Sequence, residues 1–86
     1  MASFSVVLKP SVEKDLRSLS KSVLERVWAR IVTLPQDPRP RQSAKLAGTQ
    51  DLYRVRVGDY RIIYGVDDTA RQIVIHYVRH RSDSYR

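Results

Sequence analysis

The stretch from Asp51 to Val66 constrains the fold more than any other part of the chain. Tyr53, Val55 and Val57 alternate with Leu52, Arg54 and Arg56, the period of two that sends successive side chains to opposite faces of a strand. Gly58-Asp59 follows as a two-residue turn with glycine at its first position, the arrangement that closes a tight hairpin. Tyr60 to Val66 is then the return strand. Everything else has to be arranged around this antiparallel pair.

A third strand follows directly. Asp67-Asp68-Thr69-Ala70 reads as a second turn, and Gln72 to Val78 is the most apolar strand of the chain, which predicts a central position. Upstream, Lys45-Leu46-Ala47 reads as a short strand ending at Gly48, and Ser3 to Leu8 as another at the N-terminus. Between these two lie helical periodicities. Ser11 is the expected cap of a first helix carrying Val12, Leu16 and Leu19, and Ser20 the cap of a second. In the second, Val23, Leu24, Val27, Trp28, Ile31 and Leu34 recur at steps of three and four, so Trp28 is expected in the core. Pro35 ends that helix. Gln36 to Arg41 is a proline-rich loop, predicted to be extended. The expected fold is therefore α+β: an N-terminal strand, a two-helix hairpin, then an antiparallel meander with the helices packed on one face. With 86 residues and no internal repeat, residues 1–86 form a single domain with a thin core.

Composition removes several function classes. The chain has no cysteine and only two histidines, which excludes thiolate catalysis and leaves no convincing metal cage, so neither metal nor cofactor is expected. No apolar run approaches the length of a membrane span, and no signal-peptide pattern opens the sequence, so a cytoplasmic protein is expected. The positive clue is a net charge of +7. Residues 39–86 carry ten basic and five acidic side chains, and nine of the ten bases are arginine. A guanidinium is always charged and presents a planar fork that grips phosphate with two hydrogen bonds. The charge favours a nucleic-acid partner.

The hairpin concentrates that charge. Arg54 and Arg56, two apart on one strand, project from the same face, and the tight turn sets Arg61 nearly opposite Arg56. Arg79 is expected to leave the last strand at its end. Three like charges together call for an anion or an acidic partner. The basic tail adds His80, whose ordinary pKa lies near neutrality, and Arg81. Tyr85 is a stacking platform for an exposed base or a phenol able to move a proton. His76, alternating with Val74 and Val78, is read as a packed histidine without a role.

Lys45-Leu46-Ala47-Gly48, the run Leu52-Tyr53-Arg54-Val55-Arg56-Val57-Gly58-Asp59-Tyr60-Arg61-Ile62-Ile63-Tyr64 and the ending Val78-Arg79-His80-Arg81-Ser82-Asp83-Ser84-Tyr85 together resemble toxins of the RelE/ParE superfamily. The order of elements is that family's as well, a RelE-like, microbial-RNase-like fold. The resemblance implies a toxin of a type II toxin–antitoxin pair. RelE-type members are ribosome-dependent endoribonucleases that cut mRNA in the A site and so inhibit translation; ParE-type members inhibit DNA gyrase. Basic residues matched by Arg54, Arg56, Arg61 and Arg79, with a C-terminal tyrosine matched by Tyr85, favour the RelE branch. The first two of these positions are often lysine in that branch. Arginine cannot release its proton at neutral pH, so here they grip phosphate rather than act as a base.

On this reading Arg56, Arg61, Arg79 and Tyr85 are catalytic, while Arg54, His80 and Arg81 bind RNA. The general base is Tyr85 or His80. A non-catalytic basic RNA-binding module is the remaining alternative, supported by charge alone. The expected partners are the ribosome with its mRNA and an acidic antitoxin that folds on binding. Two surfaces invite that antitoxin: the basic face, and a groove beside the helices of residues 11–34.

Overall fold

The structure is a computed structural model, and it describes residues 4–49 and 51–82. Its elements run β1 (Ser5–Leu8), α1 (Pro10–Arg17), α2 (Lys21–Ile31), β2 (Ala44–Lys45), β3 (Leu52–Val57), β4 (Tyr60–Asp67) and β5 (Gln72–His80). All strands join one sheet in the order β1-β5-β4-β3-β2. β2 to β5 form the antiparallel meander that the sequence predicts. β1 departs from it by pairing in parallel with β5, Ser5 opposite Gln72 through Leu8 opposite Ile75, so the sheet is mixed. β5 is accordingly an interior strand, but the middle of the five is β4.

Local chemistry sets the helix ends. α1 begins at Pro10 rather than after Ser11, with Lys9 as N-cap. Proline suits the first helical position, where its ring fixes φ and no intrahelical N–H is lost. Ser20 does cap α2, its hydroxyl accepting from the Val23 N–H at 3.4 Å. α2 stops at Ile31, yet the chain continues in helical turns, which bury Leu34 completely before Pro35.

The core lies between these helices and one face of the sheet. Val12, Leu16, Val27, Ile31 and Leu34 meet Val55, Ile62, Tyr64, Val66, Ile73, Ile75 and Val78. Trp28 is not among them; it is 45% exposed. Val27 and Ile31 aim at the sheet, and each further residue turns about 100° around the axis, which swings Trp28 onto the flank of α2. Val32, one turn later, is 47% exposed on the same flank.

Two features finish the sheet. Between β4 and β5, Ile63 faces Tyr77 while the next residue, Tyr64, faces Ile75, so His76 is the extra residue of a β-bulge. Past the end of β1, the Val78 N–H is taken up by the Asp15 carboxylate of α1 at 3.1 Å.

The proline-rich loop is fastened to the opposite end of the hairpin. The buried Tyr64 hydroxyl donates to the Pro38 carbonyl at 2.8 Å, and burial pushes this phenol above its ordinary pKa. Arg39 grips Asp68 with two hydrogen bonds, the shorter 2.7 Å, and its Nε donates to the Tyr53 hydroxyl at 2.9 Å. The guanidinium holds the Asp68 carboxyl below the usual carboxylate range. Among the described residues no helix is long and apolar enough to cross a membrane.

Candidate functional site

Register brings the predicted arginines together. Arg56 on β3 stands opposite Arg61 on β4, and Arg61 stands opposite Arg79 on β5. The three form one row across adjacent strands, on the face turned away from the helices. Cross-strand partners have Cβ atoms about 5 Å apart, so Arg61 stands between Arg56 and Arg79, which are about 10 Å from each other at Cβ. Arg79 does not leave the strand at its end; β5 runs one residue further, to His80. Its guanidinium lies 4.7 Å from the centroid of the Tyr77 ring, two residues back on the same face. A cation over an aromatic face at an exposed site contributes roughly 0.5–1 kcal/mol, enough to favour one orientation of a long side chain.

Arg54 lies on the same face one step along, in register with Ala44 and Ile63. Ile63 is 4% exposed although it stands outside the core beneath the helices. Its cross-strand neighbours, Arg54 and Tyr77, flank it.

A recess of about 50 Å³ opens beside the turn, lined by Arg56, Gly58, Asp59, Tyr60, Arg61 and Arg81. It suits a few waters or the oxygens of one anion. The sequence assigns Arg81 to the basic tail, and the structure brings it to this recess: its backbone N–H donates to the Asp59 carbonyl at 2.7 Å, folding the chain back beside the turn. Asp59 is the acidic member of an otherwise cationic lining.

His80 lies elsewhere. It pairs with Tyr60, on the side of the sheet that carries Ile62 and Val78, away from the arginine row. Its ring stands edge-on to Tyr60, 5.1 Å between centroids, and its Nδ1 accepts from the Ser82 N–H at 3.2 Å. Strand alternation separates His80 from Arg79, so the structure does not bring this histidine to the face of the arginine row. Tyr85 lies outside the described residues. His76 is packed, as predicted: its Nε2 would be 3.3 Å from a side chain at Gly65, and burial, with the charge of Lys9 adding to it, lowers its pKa.

Two further arginines near the site leave no signal in the sequence. Arg26 and Arg30 of α2 border a groove whose other wall is Arg56, Val57 and Gly58. Their spacing of four marks one helix flank, but nothing in the sequence says which strand that flank faces.

Known proteins share both the fold and the sequence pattern. The family described as ParE toxin of the type II toxin–antitoxin system, parDE, matches residues 6–85. A protein of Methanocaldococcus jannaschii named RelE1 is 34% identical over 86 residues, covering 96% of each chain. Among solved structures, the RelE–RelB complex of Pyrococcus horikoshii superposes with a TM-score of 0.83 at 37% identity, covering 92% of this chain and 96% of that one. A double arginine-to-alanine mutant of Escherichia coli RelE in the free state superposes at 0.80 with 26% identity, over 99% and 90%. The RelBE2 complex of Mycobacterium tuberculosis gives 0.73 with 27% identity, over 92% and 99%. The chain belongs to the RelE/ParE family of type II toxins, and within it is of RelE type.

Proposed function

We propose that this toxin is a ribosome-dependent, metal-independent endoribonuclease that cleaves mRNA in the A site and so stops translation in the cytoplasm. The observation that carries the reading is the register Arg56–Arg61–Arg79. In RNA cleavage of this kind the 2′-hydroxyl attacks its own 3′-phosphate, a bond forms to phosphorus and the bond to the departing 5′-oxygen breaks. Negative charge builds on the phosphorane oxygens and on that leaving oxygen. Guanidinium groups fixed in advance around those oxygens stabilise the transition state more than the substrate. Arg56, Arg61 and Arg79 would take this part, with Arg81 at the edge of the recess and Arg54 holding the backbone. Tyr85 would stack on a base or take the 2′ proton. His80, on the other face, is the weaker candidate for the base. A toxin with strong charge stabilisation and an incomplete acid–base pair depends on another body to orient its substrate, and the ribosome provides one.

The test is direct. Purified ribosomes programmed with mRNA should yield discrete A-site cuts with toxin stripped of metal by EDTA. The name of the matching family favours one second reading, a gyrase inhibitor. Intact mRNA together with stabilised gyrase–DNA cleavage complexes would select it.

An acidic antitoxin would neutralise the toxin by covering the arginine face. Trp28 and Val32 offer it an apolar anchor one helical turn long. Its association should slow as salt rises, because opposite charges steer the encounter.

A further inference from the structure

We infer that the groove between α2 and the β3–β4 turn is a second phosphate-binding site, which holds the RNA backbone next to the strand segment gripped by the arginine row. The groove has a volume of about 500 Å³ and is lined by Arg26, Ala29, Arg30, Thr33, Arg56, Val57 and Gly58. Three of those seven residues are arginines, and none is acidic. Among the described residues, none of the three guanidinium groups is hydrogen-bonded or ion-paired. The volume is that of a small-ligand pocket, large enough for a nucleotide rather than a bare ion.

A glycine turn borders this site. Gly58 has φ +60, and a Cβ placed on it would stand 2.9 Å from Arg26 Nη2. The missing side chain lets the Arg26 guanidinium lie directly over the turn. Arg30 follows one helical turn later, and the Thr33 hydroxyl at the end of the groove donates to the Arg30 carbonyl at 2.7 Å, which leaves phosphate to the arginines. Arg56 lines both this groove and the recess that contains Arg61 and Arg81, so the two sites are continuous. A strand with one phosphate in the row therefore meets the groove on leaving it around the turn. The apolar strip of Trp28 and Val32 lies on the far flank of the same helix, so an anchor there and a nucleic acid here do not compete for one surface.

RNA is the occupant that the chemistry favours. Arginine forks match phosphate oxygens, and repeated phosphates match arginines spaced along a path. The identity of this ligand rests on the nuclease reading above, and the experiment separates the two. Fluorescent 2′-O-methyl RNA, which cannot be cut, would be bound as a trimer and as a decamer across a salt series. The decamer should bind at least tenfold tighter at 150 mM salt. In R26A/R30A that gain should disappear, and the decamer's salt dependence should become shallower by about 1.4 in log–log slope, roughly 0.7 for each lost phosphate contact. R26K/R30K should keep the charge and most of the slope, and thermal melting would verify that each variant is folded.

Unchanged decamer affinity and slope in folded R26A/R30A would overturn the inference, even if the wild type cuts programmed ribosomes. An arginine-dependent gain in a wild type that cuts nothing would keep the groove and sink the nuclease. A glutamate decamer binding as tightly as the RNA would make the groove a carboxylate surface and overturn the assignment to RNA.

Discussion

At the far end of the β3–β4 hairpin, Arg39 meets Asp68 and the Tyr53 hydroxyl and closes a loop over the sheet. At the turn end, Arg56, Arg61 and Arg79 face one another instead. The residue type is the same and the two ends share the same strands. The partner supplied differs. A carboxylate answers Arg39, and the pair tethers a loop. In the row, Arg56 and Arg79 each stand across from Arg61, and Arg79 lies over the ring of Tyr77. The tethering arginine is thus told from the strand-face arginines by what stands opposite it, not by its position in a basic sequence.

Substitution at each end sharpens this contrast. Arg61→Ala removes the middle of the row and should lower ribosome-dependent cleavage by about two to three orders of magnitude, with the melting temperature little changed. Normal cleavage by a folded Arg61→Ala protein would assign the chemistry to another face. Tyr85→Phe keeps the ring and deletes the hydroxyl; a loss of tenfold or more in the pre-steady-state cleavage rate would identify proton transfer, and near-normal cleavage would identify stacking.

The far end should answer in stability. Tyr64→Phe deletes the bond to Pro38 and leaves a half-buried carbonyl short of a donor, a loss of about 1 kcal/mol that calorimetry would read as a melting point lower by roughly 4–8 °C. Arg39→Ala should loosen the loop, which faster amide exchange over residues 36–43 would register, with cleavage retained.

The smallest effect concerns pH. Burial depresses the pKa of His76 in the folded protein, so its contribution to stability is full above about pH 6.5 and is lost as the solution is acidified toward the folded value. Asp68 acts in the same direction at lower pH, its stabilising ion pair lost as the carboxylate is protonated below the ordinary range. The melting temperature should fall between pH 7 and 5.5 in the wild type and fall less in His76→Gln.

The parts of this architecture legible in the sequence are those set by short spacing. Alternation and a two-residue turn determine which residues pair around Gly58, so the Arg56–Arg61 pairing can be read in advance. A period near 3.6 locates both helices but not the width of the buried stripe, which is why Trp28 reads as core and lies on a flank. Contacts across long separations leave no local signal: the Arg39–Asp68 tether spans 29 residues, and the approach of Arg26 to Gly58 depends on how a helix crosses a sheet. The site is legible where it lies on one hairpin and obscure where the helix contributes to it.

The bulge at His76 has a consequence for how this toxin can vary. Before it, the odd-numbered Ile73 and Ile75 point inward against Val66 and Tyr64; after it, the odd-numbered Tyr77 and Arg79 point outward with Ile63 and Arg61. One uncounted residue thus resets the phase of the strand, making its first half a core strand and its second half a charged one. Removing His76 itself would leave that phase intact: Tyr77 would follow Ile75 directly, the ladder would become regular, and Val78 would stay inward and Arg79 outward. The bulge is therefore where β5 can lose one residue without exchanging its core face for its charged one.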